Sequence, residues 1–465
     1  MARSASKSRK TGKSKAAASP LIVTISGIRG ITGEALTPGA ILPYLSAFAR
    51  MTGKGKVVLG HDARPSSQWI LPFVESVLRY HGLDVLFAGL IATPTTGLLV
   101  RKLRAQGGIC VTASHNPVEY NGLKFFHRAG EFITAEMLAE LKRLAAVPEL
   151  PGRGQRIGSV TVLEDPARHH FDAVLKTFPP PAHTPAERPL AVIDCCNSTG
   201  AVLAPRVAEA YGARIETIFD DTEKLAFPRP AEPLAKNLGA LSRAVKKEGA
   251  SVGFAIDPDG DRLALIDEKA RAIGEERTLV LAADAYYTLH RGKPPLVVNL
   301  SSTRANEDVA AKHGVKIFRT AIGEANVLAG IKAHRAKIGG EGNGGVIVPA
   351  VQPGRDSAAA IALILLGLRE CGGTLSEWNA SIPDYAIKKT SVPLGGVSVA
   401  AALRKIRKAF RGAQFDTTDG LKVSFPDRWV HVRASNTEPI VRIMAEAPTP
   451  GAVNKLIREA RAQLE

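Results

Sequence analysis

The chain has 465 residues, 45% hydrophobic and 5% aromatic, with 61 basic against 44 acidic residues and a formal charge of +17. That balance excludes a disordered or fibrous protein and suits several globular domains with anionic partners; the apolar run at 361–368 is too short to cross a bilayer, so no membrane association is expected. Four scattered cysteines (Cys110, Cys195, Cys196 and Cys371), without a CxxC pair, argue against a disulfide scaffold or a zinc site, and no apolar signal region follows the first residues, so a reducing cytoplasm is the expected location.

Residues 1–20 hold six basic side chains and no acid, and read as a disordered basic tail. LIVTI (21–25) then reads as a strand. Thr37 and Pro38 look like an N-cap and first helical residue of a helix to about Met51. VVLG (57–60) is a strand, a helix from about Ser67 stops at Gly82, DVLFAG is a strand, a helix follows Pro94, and GGICVTA is a strand ending at Ser114. This alternation predicts a mainly parallel sheet covered by helices. LAVIDCCNSTG (190–200) and PLVVNLSSTR (295–304) repeat the strand–polar turn–helix shape of VVLGHDARPSS (57–67), a weak internal repeat of three α/β units. TFPPPAHTPAERP (177–189) is the clearest linker, and from about Ser391 a helix, strands and a helix form a smaller α+β unit.

Four clusters carry chemistry. In TASHNPVEYNGLKFF (112–126), Ser114 has small neighbours, an imidazole at His115, then Asn116, Pro117 and the cation Lys124. A serine that carries a phosphoryl group needs an exposed Oγ, donors for phosphate oxygens and a proton carrier nearby; alone, the stretch would pass for a polar loop. In IDPDGDR (256–262), Asp257, Asp259 and Asp261 alternate, so an extended segment would put three carboxylates on one side. They repel unless a cation or protons intervene, and oxygen-only ligands select a hard ion such as Mg²⁺; the alternative is a solvated Asp-Gly turn. GGEGNGG (339–345) spells GxGxxG, but strand-like VIVP follows where a dinucleotide site needs a helix. It reads as a flexible loop presenting Glu341 and Asn343 to a polyhydroxylated ligand, or else as a plain glycine turn. In RASNTEPIVR (433–442), Arg433 offers a planar fork for phosphate, Ser435, Asn436 and Thr437 add donors, and Arg442 adds a second cation, against the alternative of a capping turn. SGIRG (26–30) sets Arg29 between glycines, where its backbone can approach a ligand.

These four clusters, in this order and spacing, resemble the α-D-phosphohexomutase superfamily over about residues 21–465. The resemblance implies three related α/β domains with mainly parallel mixed sheets plus a C-terminal α+β domain around a central cleft, divided here as 21–176, 177–278, 279–388 and 389–465. It implies an isomerase-class phosphotransferase that moves a phosphate between O6 and O1 of a hexose phosphate through phosphoserine at Ser114 and a sugar 1,6-bisphosphate, which would also serve as activator. Ser114, Asp257, Asp259 and Asp261 would hold Mg²⁺. His115 and Lys124 would transfer protons and Arg29 would orient the phosphate. Arg262, Glu341, Asn343, Arg433, Ser435, Asn436, Thr437 and Arg442 would bind the substrate, a phosphorylated hexose or hexosamine. Many members end the sugar loop with histidine after Ser-Gly; Asn343-Gly344-Gly345 stands here instead, a form similar to phosphoglucosamine mutases and some phosphomannomutase/phosphoglucomutases. Glucosamine phosphate is the favoured substrate, with mannose and glucose phosphates as the alternative, in a monomer or homodimer.

Two rivals use parts of the same pattern. A phosphoserine-dependent sugar phosphatase would pass the phosphate to water. A nucleic-acid-binding protein would exploit the basic charge, but no recognised binding motif accompanies it and aromatic platforms are few, so no nucleic-acid partner is expected.

Overall fold

The computed structural model describes residues 20–464 except 153, 155, 183–187, 394–397 and 436–439. The expected basic tail (save Pro20), part of the Pro-rich linker, and Asn436 and Thr437 lie outside the described residues.

Four sheets of seven, four, five and five strands follow one another along the chain. Each of the first three has a parallel core and an antiparallel return strand. In the first, Lys56–His61 runs parallel to Asp84–Leu90 and Gly107–Val111, and Tyr120–His127 returns antiparallel beside Gly107–Val111. In the second, Leu190–Asp194, Arg214–Ile218 and Val252–Ile256 are parallel and Leu263–Asp267 returns. In the third, Leu296–Asn299, Ile317–Thr320 and Ile338–Glu341 are parallel, and Gly345–Val348 returns. The Ser114 loop, the aspartate loop and the glycine-rich loop are therefore the same connection in three successive sheets: each leaves the end of a parallel strand and re-enters antiparallel beside it. Loops at such strand ends stand clear of the sheet's own hydrogen bonding and can face a shared cleft.

Two strands beside the Ser114 loop escape the sequence reading. SGIRG forms most of the strand Gly27–Ile31, hairpinned to Ile22–Thr24, and NGLKFF forms most of Tyr120–His127. Glycine and asparagine hide the usual β signature; the glycines are needed because Gly27 (φ +108°) packs so closely that a Cβ would lie 2.0 Å from Leu123 O. The fourth sheet is wholly antiparallel, ordered Ala386–Pro393, Ile440–Ala447, Trp429–Ala434, Leu421–Ser424, Gln414–Asp416. Its helices Val399–Ala409 and Pro450–Arg461 match the expected helix–strands–helix unit, with the strand Ala386–Pro393 added in front.

One apolar core joins the second and third units, from Val174 and Ile193 to Leu279 and Ile361, and Leu98 of the first unit packs into it; the first unit has a further core of its own around Ile41, Leu59 and Phe125, and the fourth around Val423, Val432, Ile443 and Leu456. The 361–368 run lies in the helix Ser357–Cys371, most of it buried, and Asp356 caps that helix through the amides of Ala358 and Ala359. A buried imidazole pins three segments at this point: His170 Nδ1 is 2.8 Å from Thr95 Oγ1, and its Nε2 is 2.8 Å from Asp356 Oδ2. Among the described residues no helix is long and apolar enough to cross a membrane.

Candidate active site

Ser114 sits in the left-handed region (φ +52°), a conformation costly for a non-glycine residue and held only when the surroundings over-determine it. The surroundings here are Arg64, a fully buried guanidinium that the sequence reading passed over. It donates to the carbonyls of Ser114 (2.6 Å), Asn116 (2.7 Å), Pro117 (2.6 Å) and Tyr120 (2.8 Å), while Nε meets Asp62 at 3.0 Å. Asp62 also accepts from Thr112 Oγ1 (2.6 Å), and Thr112 Oγ1 accepts the Ser114 amide (2.9 Å). The expected exposed Oγ is corrected: Ser114 is 5% exposed, because the aspartate loop of the second sheet closes over it. Its Oγ lies 3.4 Å from Asp257 Oδ2 and 3.4 Å from His115 Nδ1. Arg29 Nη1 reaches Asn116 Oδ1 at 3.3 Å.

Asp257, Asp259 and Asp261 converge, all fully buried, with one oxygen from each within 4.8 Å of the others. The means differs from the extended segment expected: the strand ends at Ile256 and residues 257–262 form a turn. Asp257 Oδ1 accepts the amides of Asp261 and Arg262, both at 3.0 Å, and Gly260 takes φ +71° where a Cβ would lie 2.7 Å from Ala92 Cβ. Lys124 Nζ lies 2.5 Å from Asp259 and 3.3 Å from Asp261, and Thr93 Oγ1 donates to Asp259 at 2.6 Å. Burial, then the charges of Asp261 and Asp259, push the Asp257 carboxyl well above its ordinary range. Burial pushes Asp261 the same way, but Arg355, Lys124 and Arg262 outweigh it and hold that carboxyl below the usual range. Asp259 Oδ1 and Asp261 Oδ1 are buried without a hydrogen-bond partner. Orphaned oxygens in an all-carboxylate set fit a hard divalent cation and nothing softer.

The glycine-rich segment is a tight hairpin, not a flexible loop. Glu341 ends a strand, is 3% exposed, and is held on both oxygens: Oε1 accepts from Asn299 Nδ2 and the Gly323 amide (both 3.0 Å), and Oε2 from Arg355 Nη1 (3.1 Å). Arg355, also missed in the sequence, bridges Glu341, Glu324 (3.0 Å) and Asp261 (2.7 Å), tying the hairpin to the aspartate turn. Its stem passes where a side chain at Gly345 would stand, since a Cβ there would meet Arg355 Cδ at 2.3 Å. Asn343 and Arg262 line a cleft of about 190 Å³ with Glu232, Glu275 and Lys389. Arg262 pairs with Glu232 at 2.9 Å, and Lys389, from the fourth sheet, holds Gly342 O at 2.9 Å and Glu276 at 2.8 Å. In that fourth sheet Arg433 and Arg442 are cross-strand partners. Two like charges opposite each other repel, and Asp419 meets Arg433 Nε at 2.9 Å. The Ser435 amide donates to Ile440 O at 2.9 Å.

Four family profiles match in register with the four sheets: phosphoglucomutase/phosphomannomutase alpha/beta/alpha domain I over residues 21–149, domain II over 169–272, domain III over 274–385, and the C-terminal domain over 392–463. The chain belongs to the phosphoglucomutase/phosphomannomutase family. In family terms, domain I carries Ser114, domain II the aspartate turn, domain III the glycine hairpin and the C-terminal domain Arg433. Among curated relatives, a phosphoglucomutase/phosphomannomutase of Thermococcus kodakarensis is 33% identical over 90% of this chain and 93% of its own length. A "probable phosphoglucosamine mutase" of Methanopyrus kandleri is 30% identical over 93% of this chain and 95% of its own. A solved phosphoglucomutase/phosphomannomutase family protein from Burkholderia thailandensis superposes with TM-score 0.80 at 24% identity, covering 95% of this chain and 96% of that one, which extends the likeness to the whole fold.

Proposed function

We propose that this chain is a phosphohexomutase in which Ser114 carries the transferred phosphoryl group, most closely a phosphoglucosamine mutase. The observation that carries the reading is the contact across domains: Ser114 Oγ lies 3.4 Å from Asp257 in a cluster of three buried carboxylates. A phosphate on Ser114 would add two negative charges to that cluster, an arrangement that stands only if cations surround it. Lys124, Arg355 and Arg262 supply part of that charge. Asp257, Asp259 and Asp261, with the phosphate of Ser114, would hold Mg²⁺, which when bound neutralises charge on the phosphoryl group.

The sugar phosphate docks its existing phosphate on Arg433, Ser435, Asn436, Thr437 and Arg442, and Arg29 orients the phosphate on the serine. The bond from Ser114 Oγ to phosphorus breaks as the free sugar hydroxyl forms its own, giving a 1,6-bisphosphate. Burial, then the charge of Arg262, hold the His115 imidazole well below its ordinary range, so it is neutral and can accept the hydroxyl proton. Burial opposes the Lys124 ammonium, but Asp259 and Asp261 outweigh it and keep it charged, so that Lys124 serves first as a donor to phosphate oxygens and to the departing serine oxygen. The bisphosphate then reverses in the cleft and returns its other phosphate to Ser114. Glu341 and Asn343 read the hydroxyls in both orientations, and added 1,6-bisphosphate restores any serine that has lost its phosphate.

The names of the relatives support both amino-sugar and neutral-sugar chemistry. The substrate is a hexosamine or hexose phosphate, and the Asn343-Gly344-Gly345 hairpin favours glucosamine phosphate. The deciding experiment incubates bisphosphate-primed protein with Mg²⁺ and the 6-phosphates of glucosamine, glucose and mannose. A dominant kcat/KM with glucosamine 6-phosphate supports the reading; comparable rates make the chain a general phosphomanno/phosphoglucomutase; free phosphate without isomerised sugar means a phosphatase. Retained isomerisation in Ser114→Ala sinks the serine scheme.

A further inference from the structure

The reaction proposed above demands that one sugar bind in two opposite orientations with the same phosphate grip and the same hydroxyl reader. The distance between grip and reader then has to be the same in both bound orientations. Grip and reader stand on different domains, Arg433 on the fourth sheet and Glu341 on the third. One side chain touches both arms. Asp419 Oδ1 accepts from Arg433 Nε at 2.9 Å, and Asp419 Oδ2 accepts the Ile322 amide at 3.1 Å. The next amide, Gly323 N, donates to Glu341 Oε1 at 3.0 Å.

We infer that Asp419 is a positioning residue that sets the spacing between the phosphate-gripping Arg433 and the hydroxyl-reading Glu341. The inference rests on the functional reading above. Three features hold Asp419 to that task. Its bend seats directly beneath Arg433 because residue 420 is glycine: φ is +72°, and a Cβ would lie 2.4 Å from Val432 O and 2.7 Å from Arg433 Cβ. Its carbonyl meets His431 Nε2 at 2.5 Å, and His431 Nδ1 lies 2.7 Å from Ser301 Oγ of the third domain. Its use of the Nε edge leaves both Nη groups of Arg433 without a partner among the described residues, the pair of donors a phosphate would take. Beyond Glu341 the path continues through Arg355 to Asp261, so the same chain of contacts ends at the aspartate turn.

A plain interdomain tether would also use a carboxylate here, and charge alone would satisfy it. A spacer is sensitive to length. The test uses the full chain, primed with 1,6-bisphosphate in Mg²⁺, acting on glucosamine 6-phosphate or whichever hexose phosphate the unaltered protein turns over fastest. Asp419→Asn, Asp419→Glu, Glu341→Gln and the Asp419→Asn/Glu341→Gln pair are compared. A misplacement near 1 Å costs on the order of 100-fold in rate. Both Asp419 variants should lose kcat on that scale, while inhibition by inorganic phosphate, which reports the Arg433 grip alone, changes far less. The double variant should be little worse than Glu341→Gln, because the two substitutions break one connection. Amide exchange at Ile322 should quicken in the Asp419 variants without loss of protection in the domain cores, which separates misplacement from unfolding. Wild-type turnover in Asp419→Glu, strictly additive losses, or phosphate inhibition weakening in step with kcat/KM would each overturn the inference while leaving the mutase reading intact. A wild-type chain that isomerises no hexose phosphate would sink both.

Discussion

Removing the Arg64 guanidinium should undo the serine loop before it touches any chemistry. Four backbone carbonyls between Ser114 and Tyr120 point at one buried cation, and among the described residues the only carboxylate paired with it is Asp62. A hydrogen bond to a charged group is worth about 1.5–3 kcal/mol net, and stranding one half of a buried ion pair costs about 3–5 kcal/mol. These terms overlap, since the loop can relax toward water and Asp62 can take a proton; burial already pushes that carboxyl up, with Arg64 the main opposing charge. Arg64→Met should therefore cost about 4–5 kcal/mol, a large share of a typical domain's 5–15 kcal/mol. Arg64→Lys keeps the charge but has three donors in place of five, so it can serve Asp62 or some of the carbonyls; a loss of about 2–3 kcal/mol is expected. Urea denaturation of the full chain gives the global cost, and amide exchange across 112–122 gives the local one. An Arg64→Lys protein within about 0.5 kcal/mol of wild type, with loop protection unchanged, would refute the claim that this fork shapes the loop.

Other expectations follow from neighbouring contacts. Gly344→Ala should cut isomerase activity by at least tenfold with a smaller effect on melting, because φ is +85° and a Cβ would lie 2.4 Å from Leu263 O, prising the hairpin off the strand beside the aspartate turn; unchanged kcat/KM would count against the rigid-hairpin picture. Asp257→Asn should raise the melting temperature in EDTA, by relieving repulsion among three buried carboxylates, and should abolish the stabilisation that Mg²⁺ gives the wild type; equal Mg²⁺ shifts in both proteins would remove Asp257 from the metal set. Lys422 gives a pH test. Burial, then the Arg319 charge, pull its ammonium down to about 7 from an ordinary 10.5, so between those pH values the unfolded chain holds a proton that the folded one has shed. Wild-type stability therefore gains with rising pH across that window relative to Lys422→Met, and a difference in melting temperature that stays flat from pH 6 to 10 would contradict it.

The chemistry was more legible than the geometry that arranges it. Ser114, the three aspartates and Glu341 announce themselves by unusual local company, and local company is what a sequence displays. Arg64 and Arg355 do not, because each acts through partners far along the chain: Arg64 holds carbonyls 50 to 56 residues on, and Arg355 reaches Asp261 across 94 residues. An arginine followed by proline in HDARPSS, or by aspartate in GRDS, looks like surface punctuation until the fold closes over it. The strands Gly27–Ile31 and Tyr120–His127 were hidden for a related reason. Their glycines serve close backbone approach in the tertiary structure, and a propensity reading scores them as breaks. The alternation of the aspartates pointed to the correct cluster through an incorrect shape: a turn stabilised by Asp257's own carboxylate gathers the side chains that a strand would merely have aligned.

The separate apolar core of the fourth domain bears on how a ligand gets in and out. The second and third domains share one continuous core, and the first is joined to it through Leu98 and pinned at His170, so parting these would expose hydrocarbon to water. The contacts that hold the fourth domain to the third are of another kind: Lys422 to Leu300 O, His431 to Ser301, Glu446 to the Arg304 amide, Asp419 to the Ile322 amide. Water can replace every one of these, at a net cost of about 0.5–3 kcal/mol apiece. The molecule is thus an anvil and a jaw, fastened along a seam that solvent can unzip.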